Sequence, residues 1–133
     1  MPKLLAIDHV AMTVQNLQAS VAFFDRLFGM EMRAEHRRGG IVALCQIKVG
    51  DVLLSIHQAG NDVQLVAKRP TVGAVDICFR WSGDIESAAQ LLRSHDIEII
   101  DGPSPRTTSD GRPSKSVYFN DPDGNLLELM AAD

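Results

Sequence analysis

Three side chains of this sequence combine the right type with an unusual setting for chemistry: His9, His57 and Glu128. Glu128 is the most informative, because its neighbours Leu126, Leu127, Leu129 and Met130 are apolar on both sides. A carboxylate buried without a partner is expensive, so this one calls for a cation, a metal or a proton. Successive side chains of a strand point to opposite faces, so His9, Ala11 and Thr13 share one face and Val10, Met12 and Val14 the other. The apolar set must pack under a helix, which leaves His9 on a cleft side. Ser55 and His57 share a face in the same way. Two imidazoles and one carboxylate presented from separate strands form a 2-His-1-carboxylate set, suited to a divalent metal with positions open for substrate oxygens. Fe(II) is the common occupant, with Mn(II), Zn(II) and Ni(II) as others. The plainer alternative stands beside this: a strand histidine is also at home as a hydrogen-bonded core or surface residue.

The elements that would position these residues follow from periodicity. Leu4 to Val14 reads as a strand, and Asn16 as the N-cap of a helix whose apolar stripe is Leu17, Val21, Phe24 and Phe28, stopped by Gly29. Three strands follow, Met30 to Glu35, Ile41 to Val49 and Val52 to Gln58, separated by Gly39-Gly40 and Gly50-Asp51. His36-Arg37-Arg38 reads as a solvated turn. After a linker from Ala59 to Val72 the plan restarts. Ala74 to Trp81 reads as a strand, and Asp84 caps a helix striped by Ile85, Ala88, Ala89 and Leu92. Ile97 to Ile100 is again a strand, Asp101 to Lys115 a long polar loop, and Ser116 to Asn120 and Asn125 to Met130 close the chain around the turn Asp121-Pro122-Asp123-Gly124. A loop of that length suggests function, and Arg106, Arg112 and Lys115 could make it a cationic lid over an anionic substrate or simply a solvated loop.

The expected fold class is therefore α+β, with two βαβββ modules forming a curled mixed sheet around a shared cleft. One domain of residues 1–133 would comprise module one at 1–58, a linker at 59–72 and module two at 73–133. Internal repetition implies a pseudo-twofold pair, and a cleft between repeats favours a ligand.

The bulk properties narrow the partners. At 133 residues with 45% hydrophobic and 23% charged residues, the chain has an ordinary globular composition. A formal net charge of −4 argues against nucleic acid as the partner. No apolar run approaches the roughly 18 residues that a spanning helix requires, and the start Met1-Pro2-Lys3 lacks a signal-peptide layout, so the expectation is a cytoplasmic protein without a membrane partner. Cys45 and Cys78 lie in separate apolar runs and read as reduced core thiols, with a disulfide as the alternative.

The opening IDHVAMTVQNLQASVAFFDRLFGM (residues 7–30) and the closing SVYFNDPDGNLLELM (residues 116–130) resemble the two signatures of the vicinal oxygen chelate superfamily, which holds glyoxalases, bleomycin resistance proteins and extradiol dioxygenases. LLSIHQAGN, VGAVDICF and the Gly102-Pro103…Arg106-Thr107 segment look like small glyoxalase domain-containing proteins. The resemblance implies His9, His57 and Glu128 as metal ligands, a small-molecule substrate and a homodimer. It also exposes departures. The four positions at which glyoxalase-like lyases offer ligands carry His9, Ser55, Ala74 and Glu128 here, and Ser55 and Ala74 are poor ligands. Asp76, one pleat beyond Ala74, is a candidate fourth ligand or base. Tyr118 precedes Glu128 as a site tyrosine does in extradiol enzymes, although it also serves as strand filler. Ser55 and Arg106 are candidate substrate contacts.

Three functions follow, in this order. The first is a metal-dependent glyoxalase-like lyase or isomerase acting through vicinal oxygens, with Glu128 or Asp76 moving the proton. The second is an Fe(II) ring-cleaving dioxygenase, and the third a non-catalytic, antibiotic-resistance-like binding protein. No residue pattern marks a thiol cofactor such as glutathione.

Overall fold

The computed structural model describes residues 1–30 and 32–133, and the side chains of residues 32–34 lie outside that description. The chain divides into two units, Met1–Val72 and Gly73–Asp133. In the first, β1 (His9–Val14), α1 (Leu17–Phe28), β2 (Met32–Arg38), β3 (Ile41–Val49) and β4 (Val52–Gln58) build a four-stranded sheet of order β1-β4-β3-β2. In the second, β5 (Asp76–Arg80), α2 (Ile85–Ser94), β6 (Asp101–Thr107), β7 (Pro113–Asn120) and β8 (Leu126–Ala132) build a sheet of order β5-β8-β7-β6. The first strand of each sheet runs parallel to the last, and the other pairs are antiparallel. The βαβββ plan is thus present twice, as two open mixed sheets each carrying one helix.

Each helix forms where its ends are satisfied and its stripe finds a sheet. Asn16 accepts the Ala19 N–H at 3.0 Å, and Gly29, in the left-handed region, donates its N–H to Asp25 O at 2.7 Å. The buried stripe of α1 is Leu17, Ser20, Phe23, Phe24 and Leu27, rotated from the expected one, so Val21 and Phe28 are only half-buried. The apolar sheet face beneath it presents Met12, Val14, Cys45, Ile47, Leu54 and Ile56, all buried. Burying a side chain such as Phe24 contributes about 1.5–3 kcal/mol. In unit 2, Asp84 accepts the Ser87 N–H at 2.8 Å, and Ile85, Ala88, Ala89 and Leu92 pack on Val117, Phe119, Leu127 and Leu129.

Several boundaries differ from expectation, each for a physical reason. Pairing begins at His9, opposite Leu53, rather than at Leu4, because β4 starts only one residue earlier at Val52 and offers no partner further back; Leu4, Leu5 and Ile7 are exposed. The strand expected over Met30 to Glu35 runs instead from Met32 to Arg38, and Glu31 lies outside the described residues. His36-Arg37-Arg38 is therefore strand and not turn. The reversal falls on Gly39-Gly40, both at positive φ, and Arg37 and Arg38 are held by Glu35 and Asp62. Residues 97–100 form no strand, and the expected long loop over Asp101 to Lys115 is the hairpin β6–β7. Its prolines are compatible with strand at the places they occupy. Pro103 and Pro105 sit in β6, the edge strand, and Pro113 opens β7, positions that tolerate a missing N–H. Gly102 lies so close to the neighbouring strand that a Cβ there would collide with the Ser116 carbonyl.

The pairing of β5 with β8 is organised by the turn before β8. The Asp121 carboxylate accepts from the backbone N–H groups of Asp123 and Asn125, each at 2.9 Å, and from the Asn125 side-chain amide at 2.8 Å. Asn125, wholly buried, accepts the Val75 N–H at 2.9 Å through its own side-chain oxygen. That contact clasps the start of β5 to the start of β8. Replacing Asn125 by Ala strands both the Val75 N–H and part of the Asp121 carboxylate, so we expect a loss of about 2–3 kcal/mol. Urea unfolding followed by circular dichroism measures it, and a loss below about 0.5 kcal/mol would show that the clasp is dispensable.

Candidate functional site

The two sheets each have a face turned away from their helix, and the candidate residues lie on these faces. In unit 1 the register aligns His9, Ala11 and Thr13 with Leu53, Ser55 and His57, and these with Lys48, Gln46 and Leu44. His9 is half-exposed, and its Nδ1 is 2.8 Å from the Asp8 carboxylate. With Nδ1–H donated to Asp8, the Nε2 lone pair is left for another partner, which is how carboxylates prepare histidine ligands. His57 is half-buried, and its Nδ1 is shielded from solvent with no hydrogen-bond partner. Burial pushes its pKa below the usual histidine value, which favours the neutral ring. Ser55 is buried, and its hydroxyl accepts from the Gln46 amide at 2.8 Å, so it is engaged within the sheet.

In unit 2 the open face carries Asp76, Cys78 and Arg80 of β5, then Leu126, Glu128 and Met130 of β8, then Asn120, Tyr118 and Ser116 of β7. Cys78, Glu128 and Tyr118 form one cross-strand row, extended by Asp101 of β6. Glu128 is buried, and the Tyr118 hydroxyl and the Cys78 thiol lie near enough to its carboxylate for that charge to raise the pKa of both. Tyr118 in turn accepts from Arg106 Nε at 2.8 Å, and the Arg106 guanidinium lies 5.3 Å from the centre of the tyrosine ring. Lost hydration, with Glu128 added, raises the Tyr118 pKa against the opposing pull of Arg106, so the phenol stays protonated and donates. Lost hydration and the Glu128 carboxylate push the Cys78 thiol up to about 12, which makes it a neutral donor rather than a nucleophile.

The expected sites are thus distributed as follows. His9 and His57 belong to unit 1; Glu128, Asp76, Tyr118 and Arg106 belong to unit 2, where Arg106 donates to the Tyr118 hydroxyl beside Glu128. Arg106 is a strand residue, not part of a lid loop. Asp76 shares the open face one pair along from Cys78, about 7 Å away by strand spacing. Among the described residues no three His, Cys, Asp or Glu side chains lie together in the manner of a metal-binding group. Cys45 is buried as expected, whereas Cys78 is exposed on the open face; neither forms a disulfide. The place of Cys78 beside Glu128 escaped the sequence reading, yet the alternation of Asp76, Cys78 and Arg80 with Ile77 and Phe79 carried the signal.

The lowered pKa of His57 has a consequence for stability. Between the folded and the ordinary histidine pKa, the unfolded chain binds the proton more readily, so stability contributed by the neutral ring is present above about pH 6.5 and lost as pH falls. The melting temperature of the wild type relative to His57→Asn should therefore be higher at pH 7.5 than at pH 5.0. An unchanged difference would show that His57 titrates normally.

Comparison with known proteins gives a consistent family. A family model for the Glyoxalase/Bleomycin resistance protein/Dioxygenase superfamily matches residues 6–129. The chain is 30% identical over 124 residues to the virulence protein STM3117 of Salmonella typhimurium, covering 92% of this chain and 81% of that one. It superimposes on the crystal structure of STM3117 with a TM-score of 0.86, at 27% identity, over 99% of this chain and 100% of the other. An integron cassette protein from the mobile metagenome of V. cholerae matches with a TM-score of 0.88 at 28% identity, over 100% of this chain and 99% of the other. The metallothiol transferase FosB of Staphylococcus haemolyticus is 27% identical over 124 residues, 92% of this chain and 81% of that one. With the doubled βαβββ plan and both sequence signatures in place, this chain belongs to the glyoxalase/bleomycin resistance protein/dioxygenase superfamily.

Proposed function

We propose that the protein is a metal-dependent, glyoxalase-like lyase or isomerase acting on a small substrate through two adjacent oxygens. The observation that carries this reading is the buried Glu128, which faces away from the hydrophobic core and, among the described residues, has the neutral Tyr118 hydroxyl and Cys78 thiol near its carboxylate and no ion pair. Such an anion is short of positive charge, and a divalent cation supplies it. The donor set fits. Glu128 offers oxygen, His57 a neutral ring with an unpartnered nitrogen, and His9 an Nε2 prepared by Asp8. The metal class remains that of the divalent ions Fe, Mn, Ni or Zn, and FosB, a metallothiol transferase by name, supports metal use in the family.

Bound there, a divalent cation would polarise two vicinal substrate oxygens and lower the cost of removing a neighbouring proton. The residues of the chain do the rest. Tyr118, kept protonated and held by Arg106, would donate to a Glu128 oxygen, and Cys78 would face the carboxylate from the neighbouring strand on the other side. Asp76, on the same face, is the group that would accept the substrate C–H proton. The exposed apolar run Leu4, Leu5 and Ile7, leading into the edge strand β1, suits pairing with a second copy of the chain. A non-catalytic binding protein is the second reading, favoured by one observation: Ser55 is occupied by Gln46 and Ala74 has no donor, so two ligand positions of glyoxalase-like lyases are unavailable.

Elemental analysis of chelator-free protein decides between them. The expected result is about one equivalent of transition metal per chain in the wild type, a loss of at least tenfold in metal affinity in Glu128→Ala, and a smaller loss in Tyr118→Phe. A wild type that remains empty after exposure to Fe(II), Mn(II), Ni(II) and Zn(II) would contradict the enzyme reading and favour the binding protein.

A further inference from the structure

A cavity of about 620 Å³ lies in unit 1, between α1 and the β2–β3 hairpin. One wall is a single helix stripe, Gln18, Val21, Ala22 and Asp25, at spacings of three and four residues. This stripe adjoins the buried one of Leu17, Phe24 and Leu27, and it leaves Val21 half-buried and Ala22 exposed. Cys45 of β3 lines the cavity from the sheet, and Glu35 stands opposite it in the register, on the same face. The cavity is therefore on the helix side of the first sheet, whereas His9 and His57 are on its open face. The helix side is where a small domain packs its core most densely, so a space of this size there requires an explanation.

The lining defines what would fit. Leu17, Val21, Ala22 and Met30 are apolar, and burial together with the Glu35 charge raises the Cys45 pKa, so the thiol is neutral as well. Among the described residues the lining holds two carboxylates, Asp25 and Glu35, and one guanidinium, Arg37. Arg37 lies 2.7 Å from Glu35 and donates to the Gly40 carbonyl, so these two charges are matched within the hairpin. One negative charge is left in excess, at the exposed Asp25 on the opposite wall. We propose that this cavity binds a small apolar molecule carrying one protonated amine, its body between the α1 stripe and Cys45 and its ammonium at Asp25. The volume is within the range of about 300–1,000 Å³ usual for small-molecule sites. Apolar walls hold the body by excluding water, and the excess carboxylate selects a cation over a neutral or anionic molecule of the same shape. None of the lining residues belongs to the proposed metal set, so this site does not rest on the proposed function.

The probe is α-naphthylmethylamine, with α-naphthylmethanol and α-naphthylacetate as neutral and anionic counterparts of similar shape. Each is titrated into the ¹⁵N-labelled protein and followed in ¹⁵N–¹H correlation spectra. The amine should shift the amide signals of Val21, Ala22, Asp25 and Cys45 saturably and leave those of Glu128 and Tyr118 in place. The alcohol should bind about three- to fivefold more weakly, as expected of one exposed charge pair, and the acetate more weakly still. Asp25→Asn should reduce the affinity for the amine to that for the alcohol. Ala22→Phe places a ring in the groove from an exposed helix position, so it should keep the wild-type fold by circular dichroism and weaken the amine about tenfold. If that variant fails to fold, Asp25→Asn, also at an exposed position, carries the test. No saturable shift at these residues, equal binding of the three compounds, or unchanged amine affinity in Asp25→Asn or in a folded Ala22→Phe would overturn the proposal.

Discussion

The side-chain clasp between Asp121 and Asn125 is the contact on which the chemistry-bearing face depends. β5 and β8 are parallel and fifty residues apart in sequence, so no hairpin turn sets their register. Asn125 does so by taking the first free N–H of the approaching strand, at Val75, while Asp121 holds Asn125 through its backbone and its side chain. With that register, Cys78 falls opposite Glu128, and the antiparallel β7 brings Tyr118 opposite from the other side. A slip of one residue would send Glu128 into the core under α2, where no donor could meet it.

The same register explains how one sheet reconciles a dry core with a polar face. Leu127 and Leu129 pack toward α2, while Glu128 between them is turned to the opposite side. There its neighbours are the neutral Tyr118 hydroxyl and Cys78 thiol. Tyr118 and Cys78 both remain protonated, so neither cancels the carboxylate, while Arg106 donates to Tyr118 and is itself influenced by the Glu128 charge. An anion kept available in this way is suited to a metal.

Much of this was legible in the sequence where local rules decide the structure. Asn16 and Asp84 mark helix starts that the structure keeps, Gly29 ends α1, and Ile41–Val49 and Val52–Gln58 are strands with the bounds read from alternation. The failures occur where pairing outweighs propensity. Leu4 to Asp8 has a strand composition without a neighbour, and the proline-rich stretch at Asp101–Thr107 has a loop composition but a free edge that accepts it. The importance of Glu128 was readable from its apolar neighbours, whereas its partners were not. Cys78 and Arg106 reach Glu128 and Tyr118 only through register, which depends on contacts fifty and twelve residues distant in sequence.

The most direct test of a Glu128-centred metal site is paramagnetic line broadening in a ¹⁵N–¹H correlation spectrum titrated with substoichiometric Mn(II). The account predicts that the amide signals of Glu128, Cys78 and Tyr118 disappear first and together. Broadening confined to exposed acids such as Asp51 and Asp62, with Glu128 and its row unaffected, would contradict it.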